Sequence, residues 1–573
     1  MRETSGRPRS WLWLCLGTSL VLTGVLLPVA SLVALDPDPG PRLESLRVGA
    51  RLFKALLTLH GVWLLAAVWG RRTREPSPLS SEPEPLWRPP TFEPQIALGR
   101  WEGLAFVGLL ALALVLRWIG VHQDLWIDEV YTLVQFVRPS WGQIFTNYTD
   151  DNQHLLYSLL AHASVSTFGE SAAALRLPAL LLGLASLWAT QRLAILVSGR
   201  REALLAVALL AVSYHHVWFS QNARGYTGLL FATVLSTELL LRGLWQGRWS
   251  IWTGYAAAVA LGMGLHLSMV FVVAAHFLLV AALVVRRTGT AALRRRPLIA
   301  LVLAATLTLQ IYALVSPQVI AFYLQPAAGT AIAPEIWKSP IWLVQETIRG
   351  LGVGSLVGWV GLALAAVVLT SGVMSFLRRT PLVTWCFLLP ALLGGSAMVL
   401  LQRNLWPRFF FNELSFAALF ALRGARLLGD EVRRRLGRGP RELGMVCAIG
   451  VVLASAVALP RNYRYPKQDF TGALEWVLGH KAPGDRIVAL GMARPAYKEI
   501  YAPDMLAASS LEELRNLLSP EERTWVIYTF GEQLEAKDPE LWQALLTDFE
   551  EVRAFPGTLG GGQVVVGRER GGG

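Results

Sequence analysis

Charge is scarce in this sequence. Only 16% of its 573 residues are Asp, Glu, Lys or Arg, against 53% hydrophobic, where soluble domains carry about 25% charged residues. That excludes an ordinary soluble globule. Cysteine is scarcer still. Cys15, Cys386 and Cys447 all lie in apolar stretches without metal-ligand spacing, which points to packing rather than a disulfide framework or a cysteine metal site. There is no glycine-rich nucleotide fingerprint and no nucleophile elbow. There is no internal repeat of the kind many transporters show. No small-residue cleavage site follows the first apolar stretch, 11–34, which is long enough to span a bilayer by itself.

What is present is a succession of apolar runs of about 20 residues, the length needed to cross the hydrocarbon core. The net charge of +12 comes from arginines clustered in short loops between these runs, such as Arg71-Arg72, Arg200-Arg201, Arg294-Arg295-Arg296 and Arg378-Arg379. This is the positive-inside pattern of a polytopic membrane protein, and it argues against a nucleic-acid-binding stripe. The 22 tryptophans suit interfacial belts. Alternating the arginine clusters predicts about 13 spans and the following division. Two extra N-terminal helices occupy 1–75 and a Pro-rich cytoplasmic linker 76–100. A membrane domain covers 101–460, with a long first outer loop at 122–170. A small soluble α/β domain covers 461–573, where short β-like runs at 486–491, 525–530 and 564–567 alternate with helical stretches at 473–478, 511–518 and 541–549. By parity that last domain lies on the outer side.

The unusual polar residues gather in the outer loops. Asp128 and Glu129 sit together just past an apolar run. If 151–167 is helical, Asp151, His154, Ser158 and His162 share one face. That face is either the solvated side of an interfacial helix or a polar surface closing over a site. Arg224, Arg403 and Arg408 run against the positive-inside trend, and arginine at the outer surface is suited to gripping a phosphate with two parallel hydrogen bonds.

The ordered motifs carry a resemblance. An Asp-Glu pair in the first outer loop is followed by Gln153-His154-Leu155-Leu156-Tyr157 and by Gly169 through Pro178 with Arg176 inside it. Ser220-Gln-Asn-Ala-Arg224-Gly-Tyr226 and Trp406-Pro-Arg408-Phe-Phe come next. This order resembles the GT-C superfamily of integral-membrane glycosyltransferases. More closely it is similar to the bacterial relatives of dolichyl-phosphate-mannose protein mannosyltransferases and lipid A aminoarabinose transferases. The His154 segment lacks the His-Pro-Pro form common there, and a late Arg-Tyr pair is here Arg408-Phe409.

The resemblance implies a mainly α, polytopic GT-C fold in a bacterial inner membrane, with the active site and C-terminal domain extracytoplasmic. It implies transfer of a sugar from a polyprenyl-phosphate donor to an extracytoplasmic acceptor, with membrane lipid as surroundings and no nucleic acid as partner. A sugar phosphate already carries a good leaving group, so one carboxylate acting as base is sufficient, and direct displacement inverts the anomeric centre. On this reading Asp128 is the base and Glu129 orients, binds acceptor or contacts a metal ion. Arg224, Arg408 and Arg403 take the donor phosphate, with or without a divalent metal ion. Asp151, His154, Tyr226 and His266 line the cavity or hold that metal, and Arg176 fixes loop geometry. The competing reading is a polytopic lipid or glycan transporter or flippase without transferase activity; a ligase acting on lipid-linked glycans and a non-catalytic descendant are further alternatives.

Overall fold

The computed structural model describes residues 10–73, 87, 99–287, 291–324, 339–351, 355–437, 440, 442–519 and 521–570. The linker expected over 76–100 falls almost wholly outside them. The chain is mainly helical and closes with one small sheet.

Among the described residues, seven helices are long and apolar enough to cross a membrane: Gly40–Trp69, Arg100–Trp118, Ala172–Val197, Tyr226–Gln246, Leu356–Arg379, Pro381–Leu400 and Leu443–Arg464. Two bent pairs raise the number to nine, Arg200–Ala211 with Tyr214–Ser220 at 63° and Arg294–Tyr312 with Ser316–Leu324 at 95°. The protein is an integral membrane protein. Some of the apolar runs among the roughly 13 expected spans are broken or shortened by the backbone. The first run ends at Leu26, and a short helix, Val29–Val33, follows Pro28, whose ring cannot donate to a helical ladder. Met269–Val285 is a shorter apolar helix. Leu414–Leu436 runs past Arg423 and ends in three consecutive arginines.

The two N-terminal helices, Ser10–Leu26 and Leu43–Thr73, pack on each other through small residues. A Cβ on Gly61 would lie 2.7 Å from the Gly17 carbonyl oxygen, and one on Gly24 would lie 2.8 Å from that of Lys54. Close backbone approach of this kind is how helices associate where lipid supplies no hydrophobic drive. The central core is formed by Ala172–Val197, Arg200–Ala211, Tyr226–Gln246 and Trp249–Leu265, with Leu414–Leu436 against them.

The C-terminal sheet contains β1 (Arg486–Leu490), β2 (Leu506–Ala508), β3 (Thr524–Thr529), β4 (Phe549–Phe555) and β5 (Val564–Glu569) in the order β2-β1-β3-β5-β4. β1 pairs parallel with β2 and β3, while β5 pairs antiparallel with β3 and β4. All six β3 residues are buried, as a central strand covered on both faces requires. β2 is too short to leave a periodic trace. In β4 the middle residues Glu551, Val552 and Arg553 are exposed, and the apolar residues of this edge strand form no continuous run to reveal it. This unit does not stand apart. Leu125, Trp126 and Ile127 share one apolar cluster with Phe470, Tyr497, Trp525 and Val566.

Candidate active site

The stretch from Asp124 to Glu129 is held by residues from the middle of the chain and from the C-terminal domain. Thr471 donates through its backbone N–H (2.8 Å) and its hydroxyl (2.9 Å) to the Asp124 carboxylate. The Leu125 N–H donates to the Tyr501 hydroxyl at 2.7 Å, and the Ile127 N–H to Gln468 Oε1 at 2.9 Å. Trp126 Nε1 donates to Asn222 Oδ1 at 3.0 Å. A one-turn helix, Ile127–Tyr131, follows, with the Glu129 carboxylate reaching back to the Trp126 N–H. In that turn Asp128 and Glu129 diverge, as adjacent helical positions must.

Glu129 points inward and is fully buried. Arg176, equally buried, donates Nε to Oε1 at 2.8 Å and Nη2 to Oε2 at 2.6 Å, and the Ala223 N–H adds a third bond at 2.6 Å. Burial pushes the carboxyl upward, but Arg176, the nearby Lys467 charge and the Ala223 N–H together hold it below its ordinary value. Arg176 spends its remaining donors on the loop itself: the Val121, Gln123 and Asp124 carbonyls accept at 2.9, 2.6 and 2.8 Å. It starts the Ala172–Val197 helix, whose first turn is capped by the Ser171 hydroxyl. Glu129 and Arg176 thus form a structural strut under the loop.

Asp128 points the other way and stays partly open to solvent. Its Oδ2 lies 2.6 Å from Arg224 Nη1 and 3.5 Å from Arg408 Nη1. Its carbonyl accepts from the Thr132 hydroxyl at 2.8 Å and from Asn152 Nδ2 at 3.2 Å. Arg224 lies in the tight turn between Tyr214–Ser220 and Tyr226–Gln246, where Gly225 is mandatory: a Cβ there would sit 1.9 Å from the Leu265 carbonyl oxygen. Arg224 Nε also donates to His154 Nε2 at 3.3 Å, and the guanidinium lies over the Tyr226 ring. His154 stacks on His266, centroids 4.4 Å apart, with Tyr226 against both. Burial and the neighbouring Arg224 and Arg408 charges keep both imidazoles neutral; His266 falls to about 3 and His154 well below its usual value. Arg408 Nε is buried with no hydrogen-bond partner.

The structure therefore brings Asp128, Arg224, Arg408, His154, Tyr226 and His266 together. Asp151 is at the surface, yet its charge reaches Arg224 and Arg408. Arg403 makes no ion pair with Asp128 among the described residues, and its charge acts instead near Tyr323. The shared face expected over 151–167 is not there. The helix begins at Leu155, so Asp151 lies in a turn before it and His154 is its N-cap residue. His162 faces away from this cluster, bonding the Val137 carbonyl at 2.6 Å beside Trp141. Asn222 lies in a motif legible in the sequence, whereas Gln468, Thr471, Tyr501 and Lys467 do not stand out there. Their partners are remote in sequence, and nothing in their local composition marks them.

The carboxylate faces two guanidiniums, and among the described residues no three His, Cys, Asp or Glu side chains converge as metal ligands. This donor set suits an anion and does not fit a divalent cation. Residues 152–319 match the family model described as dolichyl-phosphate-mannose-protein mannosyltransferase. The matched stretch contains His154, Arg176, Arg224, Tyr226 and His266, with Asp128 before it and Arg408 beyond it. No curated protein matches the sequence. Among solved structures the chain is similar to ArnT from Cupriavidus metallidurans bound to undecaprenyl phosphate, at 14% identity and a TM-score of 0.48 over 83% of this chain and 99% of that one. It is also similar to the oligosaccharyltransferase AglB from Archaeoglobus fulgidus, at 11% identity and 0.44 over 81% and 74%. The arabinosyltransferase EmbB from Mycobacterium smegmatis gives 14% and 0.42 over 73% and 45%.

Proposed function

We propose that this protein is a membrane glycosyltransferase that moves a sugar from a polyprenyl-phosphate donor to an acceptor hydroxyl on the extracytoplasmic side of a bacterial inner membrane. The observation that carries the reading is Asp128 Oδ2 held between Arg224 and Arg408. A carboxylate flanked by two guanidiniums is the arrangement that an in-line displacement from a sugar phosphate calls for. Asp128 takes the proton of the acceptor hydroxyl as its oxygen bonds to the anomeric carbon. The bond from that carbon to the phosphate oxygen breaks with inversion, and polyprenyl phosphate departs with the electron pair. Arg224 and Arg408 hold the charge that grows on the departing phosphate. Before donor arrives, Asp128 is an acceptor the two guanidiniums share. A bound phosphate draws the guanidiniums toward itself, satisfies the orphaned Arg408 Nε, and leaves the Asp128 carboxylate free to act as base. Neutral His154 and His266 form a wall that adds no positive charge and orients Arg224 through His154 Nε2. Glu129, locked to Arg176, supports the loop and takes no proton. The partner is a lipid-linked sugar whose polyprenyl tail stays in the bilayer, consistent with an integral membrane fold.

The test is incubation of purified protein with radiolabelled polyprenyl-phosphate monosaccharides, wild type against Asp128→Asn. Transfer or hydrolysis by wild type, lost in Asp128→Asn, is expected. Folded wild-type protein that neither turns over nor binds any such lipid overturns the reading. Equal activity in Asp128→Asn removes Asp128 as base.

A further inference from the structure

A second pair of arginines around one carboxylate lies at the other end of the helix bundle. Arg176 stands in the first turns of the Ala172–Val197 helix, beside the Asp128 loop, and Arg192 stands near the far end of that helix. At 1.5 Å per residue the two are about 24 Å apart along the axis. The Tyr226–Gln246 helix, which starts beside Arg224, brings Glu238 and Arg242 to the level of Arg192. Arg192 Nη2 donates to Glu238 Oε1 at 3.0 Å. Arg242 Nε lies 2.5 Å from the same oxygen, too poorly aligned to donate to it.

This cluster is unbalanced in charge and in hydrogen bonds. Among the described residues the two guanidiniums share one carboxylate, which leaves one positive charge in excess. Arg192 Nε and Arg242 Nε and Nη2 are buried donors without an acceptor, and Glu238 Oε2 is a buried acceptor without a donor. All three residues lie in segments long and apolar enough to cross a membrane, where an ionisable group is costly and marks a partner or a site. Glu238 is fully buried, but the Arg192 and Arg242 side chains keep 24% and 15% of their surface exposed, so an anion has access to the guanidiniums from outside the bundle. We propose that Arg192 and Arg242 form a phosphate-binding site for the headgroup of an anionic phospholipid, in the leaflet opposite the one that Asp128 faces.

Three properties select that ligand. A phosphodiester brings one negative charge, which offsets the excess, and two free oxygens, which suit the guanidinium fork. A hydroxyl elsewhere on the headgroup supplies the donor that Glu238 Oε2 lacks. The surroundings have the character of a headgroup belt. Trp188, exposed on the same helix, takes the Arg192 guanidinium 4.9 Å over its ring. Beyond Arg242 the chain turns at Gly247, whose carbonyl accepts from Arg296 Nη1, and the Arg296 guanidinium lies over the exposed ring of Trp249. Tryptophans anchor at the membrane–water boundary, and basic pockets between spans at that level take lipid headgroups. Phosphatidylglycerol combines the single charge, the phosphodiester and the hydroxyls.

The test is native mass spectrometry of delipidated full-length protein in detergent, titrated with phosphatidylglycerol, with phosphatidylcholine and with inorganic phosphate. Arg192→Gln removes the excess charge and leaves Glu238 paired with Arg242, so no carboxylate is stranded. Glu238→Gln raises the excess to two charges. Phosphatidylglycerol is expected to bind wild type more tightly than the other two ligands do, to weaken about tenfold or more in Arg192→Gln, and to bind more tightly in Glu238→Gln. Arg224→Ala, at the Asp128 cluster, is expected to bind phosphatidylglycerol as wild type does. A cluster that serves only the fold would shift Tm in both variants and phosphatidylglycerol affinity in neither, and that result overturns the proposal. Equal binding of phosphatidylcholine removes the need for an anion and overturns it. Inorganic phosphate that displaces the lipid at equal concentration removes lipid as the source and also overturns it. So does a loss of binding in Arg224→Ala with none in Arg192→Gln, which would place the lipid at Asp128. If Arg192→Gln does not fold, the sign of the Glu238→Gln change decides: weaker or unchanged binding overturns the proposal.

Discussion

Glu129 and Arg176 meet through two hydrogen bonds, 2.8 and 2.6 Å long, with both side chains fully buried. Neither can be lost alone without stranding a charge away from water, at a cost of about 3–5 kcal/mol. Glu129→Ala and Arg176→Ala are each expected to lower thermal stability of the detergent-solubilised protein strongly. The double variant is expected to be less damaging than the sum, because it removes both charges. A double-mutant cycle on Tm checks this; additive losses would show that the pair is not coupled.

Arg224 makes two bonds that a lysine cannot reproduce at once, Nη1 to Asp128 and Nε to His154. Arg224→Lys keeps the charge and loses the fork. A hydrogen bond to a charged group contributes about 1.5–3 kcal/mol, so binding of undecaprenyl phosphate is expected to weaken by roughly tenfold to a hundredfold, with Arg224→Ala weaker still. Titration of each variant with the lipid, followed by native mass spectrometry, decides. A lysine variant that binds as tightly as wild type would assign the phosphate to other residues.

These contacts show which parts of the molecule were readable beforehand. Asp128, Arg224 and Arg408 announce themselves because charge is rare in this chain and these charges break its sidedness pattern. His154, Tyr226 and His266 entered through the order of motifs and do cluster. Arg403, picked out by the same broken pattern, makes no ion pair with Asp128 among the described residues and acts near Tyr323, since sidedness gives depth in the membrane and not position around a site. The strand positions at 486, 524 and 564 were legible from their β-branched apolar runs, whereas β2 and the polar edge strand β4 left no such run. Gln468 and Tyr501 accept from the Ile127 and Leu125 N–H groups and Thr471 donates to the Asp124 carboxylate, joining residues some 340 to 380 positions apart. Hydrogen bonds at that separation have no periodicity to read. Among the described residues seven to nine helices have the length and apolarity of a span, and apolar runs such as Trp11–Leu26 and Met269–Val285 form shorter helices, because hydropathy does not show where a helix ends or bends.

Gly225 follows Arg224 directly, and its Cβ position is filled by the Leu265 carbonyl oxygen at 1.9 Å, with His154 Cβ at 3.3 Å. A backbone oxygen cannot swing aside as a side chain can. Gly225→Ala is therefore expected to push apart the turn carrying Arg224 and the segment leading to His266, costing about 1–3 kcal/mol. Lipid-phosphate affinity should fall together with Tm. Gly108→Ala, where nothing lies within 4 Å, is the control. Equal Tm values for the two variants would mean that the turn is looser than described.

Lys467 is buried beside Gln468, donates to the Gln221 carbonyl and lies over the Trp218 ring. Burial lowers its ammonium to about 7 from 10.5, assisted by the Arg176 charge and opposed by Glu129. The folded protein therefore releases this proton near pH 7, while the unfolded chain keeps it until about 10.5. Between those values the unfolded state binds more protons, so stability rises with pH, by at most about 1.4 kcal/mol per pH unit. Below about 7 both states are protonated and this contribution is flat. Lys467→Met has no such proton to release and is expected to lack the rise. Denaturation midpoints of wild type and Lys467→Met, compared at intervals from pH 6 to about pH 9, should converge or cross in favour of wild type as the pH climbs. Parallel curves over that window would mean that Lys467 keeps its ordinary proton affinity in the fold, and that the loop bearing Gln468 and, through it, Ile127 is anchored by a permanent ammonium.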